Sequence, residues 1–199
     1  MTGVQTCALP ISGHADQHGL GRAAAVLGQA RLPLYQHGGG GGGGGGDVEE
    51  FSSSVAPGQS VAITIGAGGA ARGVMAPLLA RAPSALVVVN RTAARAEALA
   101  SHFACLGAVT GGGSTLLDRE ASFDVVINAS SAGLSGTVME LPRHVVGPTS
   151  IGYDMVYQTG ATPFMQQLID MGAARVWSGF GMLVEQAAES FYLWRGIRP

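Results

Sequence analysis

The stretch "VAITIGAGGAARGV", residues 61–74, places an apolar run directly before a glycine-rich turn and a series of small residues. Gly66, Gly68 and Ala71 have the G-x-G-x-x-G/A spacing. In that spacing the first glycine allows a tight turn, the second lets backbone N–H groups approach a pyrophosphate, and the small third residue lets helix and strand pack closely. The N-terminus of the helix adds partial positive charge. A dinucleotide site is therefore predicted, formed by Gly66, Ala67, Gly68, Gly69 and Ala70. A purely structural turn is the alternative.

Short apolar runs alternate with helix-type patterns along the rest of the chain. The predicted strands are "VAITIG", "ALVVVN", "DVVINA" and "SIGYDMV", and the predicted helices are Ala70–Ala82, "TAARAEALASHFA" and "MLVEQAAESFYLW". Pro77 is expected to kink or shorten the first helix. This alternation is typical of an α/β fold. We therefore predict a Rossmann-type parallel sheet with helices on both faces.

Residues 1–56 do not follow this pattern. The opening "MTGVQTCALPI" back-translates into a common sequencing-adapter strand, and nine consecutive glycines occupy Gly38–Gly46. A glycine run has no side chains to bury and the largest backbone freedom, so it does not belong to a packed element. A weak signal peptide is the alternative, although a basic start and a long apolar core are lacking. We expect an artefactual or disordered extension over 1–56 and a folded domain over 57–199.

The charge of the chain argues against nucleic-acid or membrane partners. The formal net charge is −2, and the eleven basic residues are scattered rather than clustered. All eleven are arginines, so no lysine is available for proton transfer. The two cysteines, Cys7 and Cys105, match neither a disulfide framework nor a metal site. Without a recognisable secretory signal, we expect a cytoplasmic protein that binds a small-molecule substrate.

The end of the second predicted strand indicates which dinucleotide binds. A site for NAD usually carries an acidic residue there, which holds the ribose 2′-hydroxyl. This chain has "NRT" instead, formed by Asn90, Arg91 and Thr92, with Arg95 one turn later. An arginine can bind a 2′-phosphate through its planar guanidinium, which favours NADP as the cofactor. The alternative is that the two arginines lie on a solvated helix start.

Several separated motifs resemble one family, shikimate dehydrogenase. They are, in order, "GAGGAARG", "NRTAARA", "INASSAGLSG", "YDMVY" followed by "TPF", and "GFGMLVEQAAESFYLWRG". The resemblance covers roughly Val61 to Pro199. It implies a C-terminal NADP-binding domain beside a separate substrate domain, and NADPH-dependent reduction of 3-dehydroshikimate to shikimate. It also implies that the final helix packs toward the substrate domain, so its apolar side, including Phe191, Leu193 and Trp194, is expected to be partly exposed here.

The resemblance assigns roles to further residues. It implies that Gly66–Ala70 surround the pyrophosphate and that Asn90–Arg95 hold the 2′-phosphate. It places Met155 and Gly179 beside the nicotinamide and directs Tyr157 and Gln186 toward the substrate. Tyr157 as an ordinary strand-end aromatic and Met155 as a core residue are the alternatives.

Two polar residues at the end of "VVINAS" have a more structural interpretation. Asn128 and Ser130 are expected to shape the loop beneath the cofactor through turn hydrogen bonds.

The sequence also departs from the family pattern. Ser178 stands where family members usually carry aspartate, and Phe180 stands where leucine is common. The family's proton-transfer lysine is absent, and "DQHGLG" resembles an altered "NTDGxG" with His18 in the place of the aspartate. We therefore assign no catalytic residue. Two further hypotheses remain, namely an NADP-binding module without turnover and a different NADP-dependent reductase.

Overall fold

The computed structural model describes residues 58–65, 69–130 and 138–199. Six strands form one sheet in the order β3-β2-β1-β4-β5-β6, and every neighbouring pair is parallel. The strands are β1 (Ser60–Ile65), β2 (Ala85–Asn90), β3 (Val109–Gly112), β4 (Phe123–Asn128), β5 (Val146–Asp154) and β6 (Arg175–Ser178). The helices are α1 (Gly69–Leu79), α2 (Ala93–Phe103), α3 (Pro163–Met171) and α4 (Phe180–Arg195), with 3₁₀ turns at Ser114–Arg119 and Arg143–Val145.

Alternating side chains of the central strands build a separate core on each face of the sheet. On one face, Leu86 and Val88 pack with α1 and α2. On the other face, Val87 and Val89 pack with α3 and the two 3₁₀ turns. Because successive side chains of a strand point to opposite faces, an apolar run such as "LVVV" contributes to both cores. The predicted parallel sheet with helices on both faces is confirmed.

Close packing and a polar contact hold β5 and β1 in place. A Cβ on Gly152 would lie 2.2 Å from Leu168 Cδ1 and 2.8 Å from Val176 Cγ1, so a larger residue would require these two buried side chains to shift. At the amino-terminal edge of the sheet, the half-buried Asp124 accepts hydrogen bonds from Ser60 N (2.8 Å) and Ser60 Oγ (2.9 Å). This pair joins the start of β1 to the start of β4.

The observed elements differ from the predicted ones in three respects. Helix α1 ends at Leu79 rather than Ala82, two residues after Pro77, so the expected shortening of this helix is observed. Strand β5 begins at Val146, earlier than predicted. The sequence analysis also missed β3, α3 and β6, of which the two strands have only four residues each. The predicted extension over 1–56 lies outside the described residues, and its boundary stays a prediction.

Helix α4 carries an exposed apolar stripe, defined here as Phe180, Val184, Ala187, Phe191 and Trp194. These side chains recur at alternating spacings of four and three residues, which places them on one face of a helix. Trp194 is 82% exposed, and Phe191 and Leu193 are 43% and 54% exposed, as the sequence analysis predicted. None of the helices in the described part of the chain is long and apolar enough to cross a membrane.

The exposed α4 stripe predicts self-association of the chain at high concentration, because contiguous exposed apolar surface favours contact with another molecule. Trp194→Glu is expected to shift the population toward the monomer in light-scattering or sedimentation measurements. Leu106→Glu, which alters an exposed leucine outside α4, is the matched control and should leave the distribution unchanged. A wild-type chain that stays monomeric at high concentration would contradict this expectation.

Candidate nucleotide-binding site

The parallel sheet brings the carboxyl ends of its strands to one edge. The register pairs Ile65 of β1 with Asn90 of β2. It also pairs Asp154 of β5 with Asn128 of β4 on one side and with Ser178 of β6 on the other. The strand order reverses between β1 and β4, which are neighbours although β2 and β3 intervene in sequence. In open α/β sheets, ligands bind outside the carboxyl ends of the strands at such a reversal. The candidate site therefore lies at this edge.

The glycine turn is described only at its downstream end. Gly66, Ala67 and Gly68 lie outside the described residues. Gly69 begins α1, and Ala70 is exposed in the first turn of that helix. Strand β1 therefore ends directly before the glycine pattern and α1 begins within it, which places the N-terminus of α1 at the carboxyl edge of the sheet.

The predicted phosphate-binding residues form one turn between β2 and α2. Asn90 is buried at the end of β2, and its Nδ2 donates a hydrogen bond to the carbonyl oxygen of Thr92 (3.2 Å). Thr92 is the N-cap of α2, yet its hydroxyl makes no capping hydrogen bond. Arg91 and Arg95 are exposed on either side of it. The buried Asn90 side chain therefore stabilises the turn by a hydrogen bond, while the side chains of Arg91, Thr92 and Arg95 face solvent.

The chemistry of this turn fits a phosphate group. The first turn of α2 contains no acidic residue, and the exposed groups are two guanidinium ions and one hydroxyl. Orphan backbone N–H groups at a helix N-terminus attract anions. The turn therefore offers charge-assisted donors to a 2′-phosphate and presents no carboxylate that would repel it.

A second part of the site lies at the ends of β5 and β6, where two backbone segments touch. Gly179 N donates to the carbonyl oxygen of Val156 (3.1 Å), and an added Cβ on Gly179 would lie 2.3 Å from the carbonyl oxygen of Met155. Position 179 therefore requires glycine. Met155 is half-buried and Gly179 is buried, so the structure brings these two predicted residues into contact.

A buried polar network underlies this second part, and the sequence analysis missed most of it. The fully buried carboxylate of Asp154 accepts hydrogen bonds from Asn128 Nδ2 (2.9 Å), Val156 N (3.0 Å) and Thr162 Oγ1. Thr162 is also the N-cap of α3. In the sequence, the network was signalled only by the polar residues Asn128 and Asp154, each of which ends an apolar strand.

Asn128 extends the network toward the loop after β4. Its Oδ1 accepts hydrogen bonds from Ser130 N (3.0 Å) and Ser130 Oγ (2.7 Å), so the predicted turn hydrogen bonds are present. Its backbone carbonyl oxygen accepts a hydrogen bond from Met155 N (2.9 Å). One asparagine therefore connects the segment after β4 to the segment after β5.

Burial shifts the acid-base properties of two neighbouring groups. Desolvation raises the pKa of Asp154 above its ordinary value, although hydrogen bonds from Thr162, Val156 and Asn128 oppose the shift. Burial, followed by the negative charge of Asp154, raises the pKa of Tyr153, whose hydroxyl therefore stays protonated at neutral pH.

The two residues predicted to contact substrate lie on either side of Gly179 in the chain. Tyr157 is 49% exposed, three residues after the end of β5. Gln186 is half-buried in the second turn of α4.

Among the residues that the structure describes, no three His, Cys, Asp or Glu side chains cluster in a way that could hold a metal ion.

These features define a doubly wound α/β domain of the Rossmann type. The chain matches the family described as "Shikimate / quinate 5-dehydrogenase" over residues 52–137. It matches "Shikimate 5'-dehydrogenase C-terminal domain" over residues 179–199. The chain therefore belongs to the shikimate dehydrogenase family.

Individual relatives agree with this assignment. The chain is 54% identical to the shikimate dehydrogenase (NADP(+)) of Dechloromonas aromatica over 137 residues, which are 69% of this chain and 50% of that protein. Among solved structures, the Ael1 enzyme from Pseudomonas putida is 40% identical with a TM-score of 0.63, covering 72% of this chain and 52% of its own. The shikimate 5-dehydrogenase of Thermus thermophilus in complex with NADP(H) and shikimate is 30% identical with a TM-score of 0.58, covering 72% and 52%. The chain thus spans about half the length of its curated relatives.

The raised pKa of Asp154 predicts a pH-dependent stability. A carboxyl group that holds its proton more tightly when folded stabilises the protein at low pH, and this stabilisation is lost as the pH rises through the folded pKa. The ordinary pKa of an aspartate side chain is 3.8. As the pH rises above this value, the free energy of unfolding of the wild type should therefore fall relative to that of Asp154→Asn. Denaturant titrations of both proteins across that range measure the difference. A difference that is flat or rises with pH would contradict the assigned direction.

Proposed function

We propose that this chain is the NADP-binding part of a shikimate dehydrogenase, an oxidoreductase that reduces 3-dehydroshikimate to shikimate. Relatives with that name and an NADP-bound relative support the proposal. The observation that carries it is the exposed cluster of Arg91, Thr92 and Arg95 after β2, which lacks an acidic neighbour in the first turn of α2. The folded unit is proposed to span 57–199, in a cytoplasmic protein.

The cluster is proposed to select NADP over NAD by binding the 2′-phosphate. Arg91 and Arg95 supply the charge, Thr92 supplies a hydroxyl, and Asn90 holds the turn in shape. The glycine turn, Gly66–Ala70, is proposed to bind the pyrophosphate with backbone N–H groups at the start of α1. Replacement of the phosphate-binding arginine by an acidic residue would weaken NADP binding, because a carboxylate would repel the phosphate.

The strand spacing separates the two parts of the site suitably for a dinucleotide. Strands β2 and β5 are three positions apart in the sheet, which corresponds to about 14 Å. An extended dinucleotide reaches across such a distance and would place its nicotinamide near Met155 and Gly179. When bound, NADPH supplies the hydride. Tyr157 and Gln186 are proposed to contact the substrate with their polar ends.

A binding module without turnover is the second candidate function for the chain as sequenced. It is favoured by the complete absence of lysine from the 199 residues. Ketone reduction develops charge on the carbonyl oxygen and requires a positioned proton donor or electrostatic stabiliser. Tyr153 and Asp154 are ionisable groups at the end of β5, but both side chains are buried, so neither is assigned as that donor.

Nucleotide titration tests the proposed selectivity. The chain should bind NADPH at least about 30-fold more tightly than NADH, because NADH lacks the phosphate that the arginines bind. Arg91→Ala should weaken NADPH binding about 10- to 100-fold and leave NADH binding unchanged. Fluorescence or calorimetric titration measures both constants.

The matched control is Arg81→Ala, which removes an exposed arginine that follows α1 at the opposite edge of the sheet. This variant should bind NADPH as the wild type does. Equal affinity of the wild type for NADPH and NADH, or an equal effect of the two arginine variants, would refute the proposed role of the cluster.

A turnover assay separates the two candidate functions. Incubation of the chain with shikimate and NADP should yield no increase in absorbance from NADPH if the lysine-free chain only binds the cofactor. Measurable reduction of NADP would show that the chain is catalytic as it stands and that its proton transfer does not depend on lysine.

A further inference from the structure

We infer that Asp154 is a positioning residue for the nicotinamide end of the site, acting through the backbone that its carboxylate holds rather than by contact with the cofactor. This inference rests on the proposed function and deepens it. It starts from a buried acidic group to which the sequence analysis gave no role. The side chain has no exposed surface, so it cannot itself reach a ligand.

The hydrogen bonds of Asp154 connect three separate segments. Its carboxylate accepts from Asn128 at the end of β4, from the Val156 amide in its own loop, and from Thr162 at the start of α3. Leaving any of these buried donors unpaired is costly, which fixes the path of residues 155–162 at both ends. The carboxylate is therefore the common acceptor for the whole loop after β5.

The held backbone carries the residues proposed to face the nicotinamide. The Met155 amide donates a hydrogen bond to the carbonyl oxygen of Asn128. The Gly179 amide donates one to the carbonyl oxygen of Val156. A shift of this loop would move Met155 against Gly179, where no space exists even for a Cβ. Tyr157 belongs to the same loop. The geometry of the nicotinamide end therefore depends on the Asp154 carboxylate.

The phosphate-binding turn is independent of this network. Asn90–Arg95 follows β2, which is separated from β5 by β1 and β4. Asn90 bonds within its own turn, to Thr92. A change at Asp154 should consequently affect one end of the cofactor only, and this is a difference that general destabilisation would not produce.

The test compares two ligands in Asp154→Ala. NADPH occupies both parts of the site, whereas adenosine 2′,5′-bisphosphate occupies only the adenosine end. We expect the variant to bind NADPH about tenfold more weakly or worse, and to bind the bisphosphate within about twofold of the wild type. The conservative Asp154→Asn retains one carbonyl acceptor and should restore part of the lost NADPH affinity.

The matched control is Asp124→Ala on the same strand as Asn128. Asp124 accepts two hydrogen bonds from Ser60 at the opposite end of the sheet. This variant should lose stability yet leave the ratio of the two affinities unchanged. Where Asp154→Ala does not fold, Thr162→Val replaces it. This variant removes one donor to the carboxylate together with the N-cap of α3, and Thr162→Ser, which keeps both hydrogen bonds, is its control.

Amide hydrogen exchange gives a readout that needs no ligand. In Asp154→Ala, the amides of Met155, Val156 and Gly179 should exchange faster, whereas the amide of Arg95, bonded to Thr92 within the α2 turn, should not. Equal weakening of both ligands, an unchanged NADPH affinity, or uniform faster exchange would overturn the inference. A wild type that binds neither ligand would refute the proposed function itself, and with it the cofactor part of the inference.

Discussion

The shared direction of the six strands is the constraint on which the rest of the structure depends. Because all pairs are parallel, each strand delivers its last residue to the same edge, and the register aligns Asn128, Asp154 and Ser178 in one row. Every connection must then return across a face of the sheet, and those connections bury the two cores. Polar residues that would be costly inside a strand are tolerated at its end, where turns and helix starts supply partners.

The site combines two parts that are stabilised in different ways. At the end of β2, an exposed cationic turn is supported by one buried amide, so its chemistry resides in solvent-facing arginines. At the ends of β5 and β6, two backbone segments are in contact, and the buried carboxylate of Asp154 accepts a hydrogen bond from one of them. Under the proposed function, the exposed arginines would bind a phosphate and the fixed backbone would position a planar ring. A cofactor with a charged end and a planar end suits this division.

The sequence predicted those features that local patterns determine. The second strand was predicted with its observed bounds, since "ALVVVN" is a buried apolar run that ends at a polar turn. The short strands β3 and β6 were missed because "VTGG" and "RVWS" carry too few apolar residues for a recognisable pattern. The shortening of α1 near Pro77 was predicted because proline disrupts helix continuation through its own local geometry.

The Asn128–Asp154 bond was not predictable for a different reason. The two residues meet only because β4 and β5 are in register at their carboxyl ends. That register does not follow from the strand starts, because Phe123 pairs with Val146 whereas Val125 pairs with Ile151. The step from Val146 to Ile151 in β5 is longer than the step from Phe123 to Val125 in β4. The extra residues of β5 form an irregularity in which Ser150 Oγ accepts a hydrogen bond from the Gly147 amide. Counting along the sequence cannot locate such an irregularity, so the buried network required the three-dimensional structure.

The proposed binding of NADP along one edge of this sheet, with the two ends of the cofactor in separate places, can be mapped residue by residue. Mapping backbone amide shifts by NMR during titration with NADP tests it most directly, since the chain has a mass of only 20.1 kDa. Saturable shifts are expected in two groups, one at Asn90–Arg95 and one at Met155 and Gly179, with Asp124 unaffected at the opposite edge. Shifts confined to the amino-terminal edge, or the absence of shifts at both groups, would contradict it.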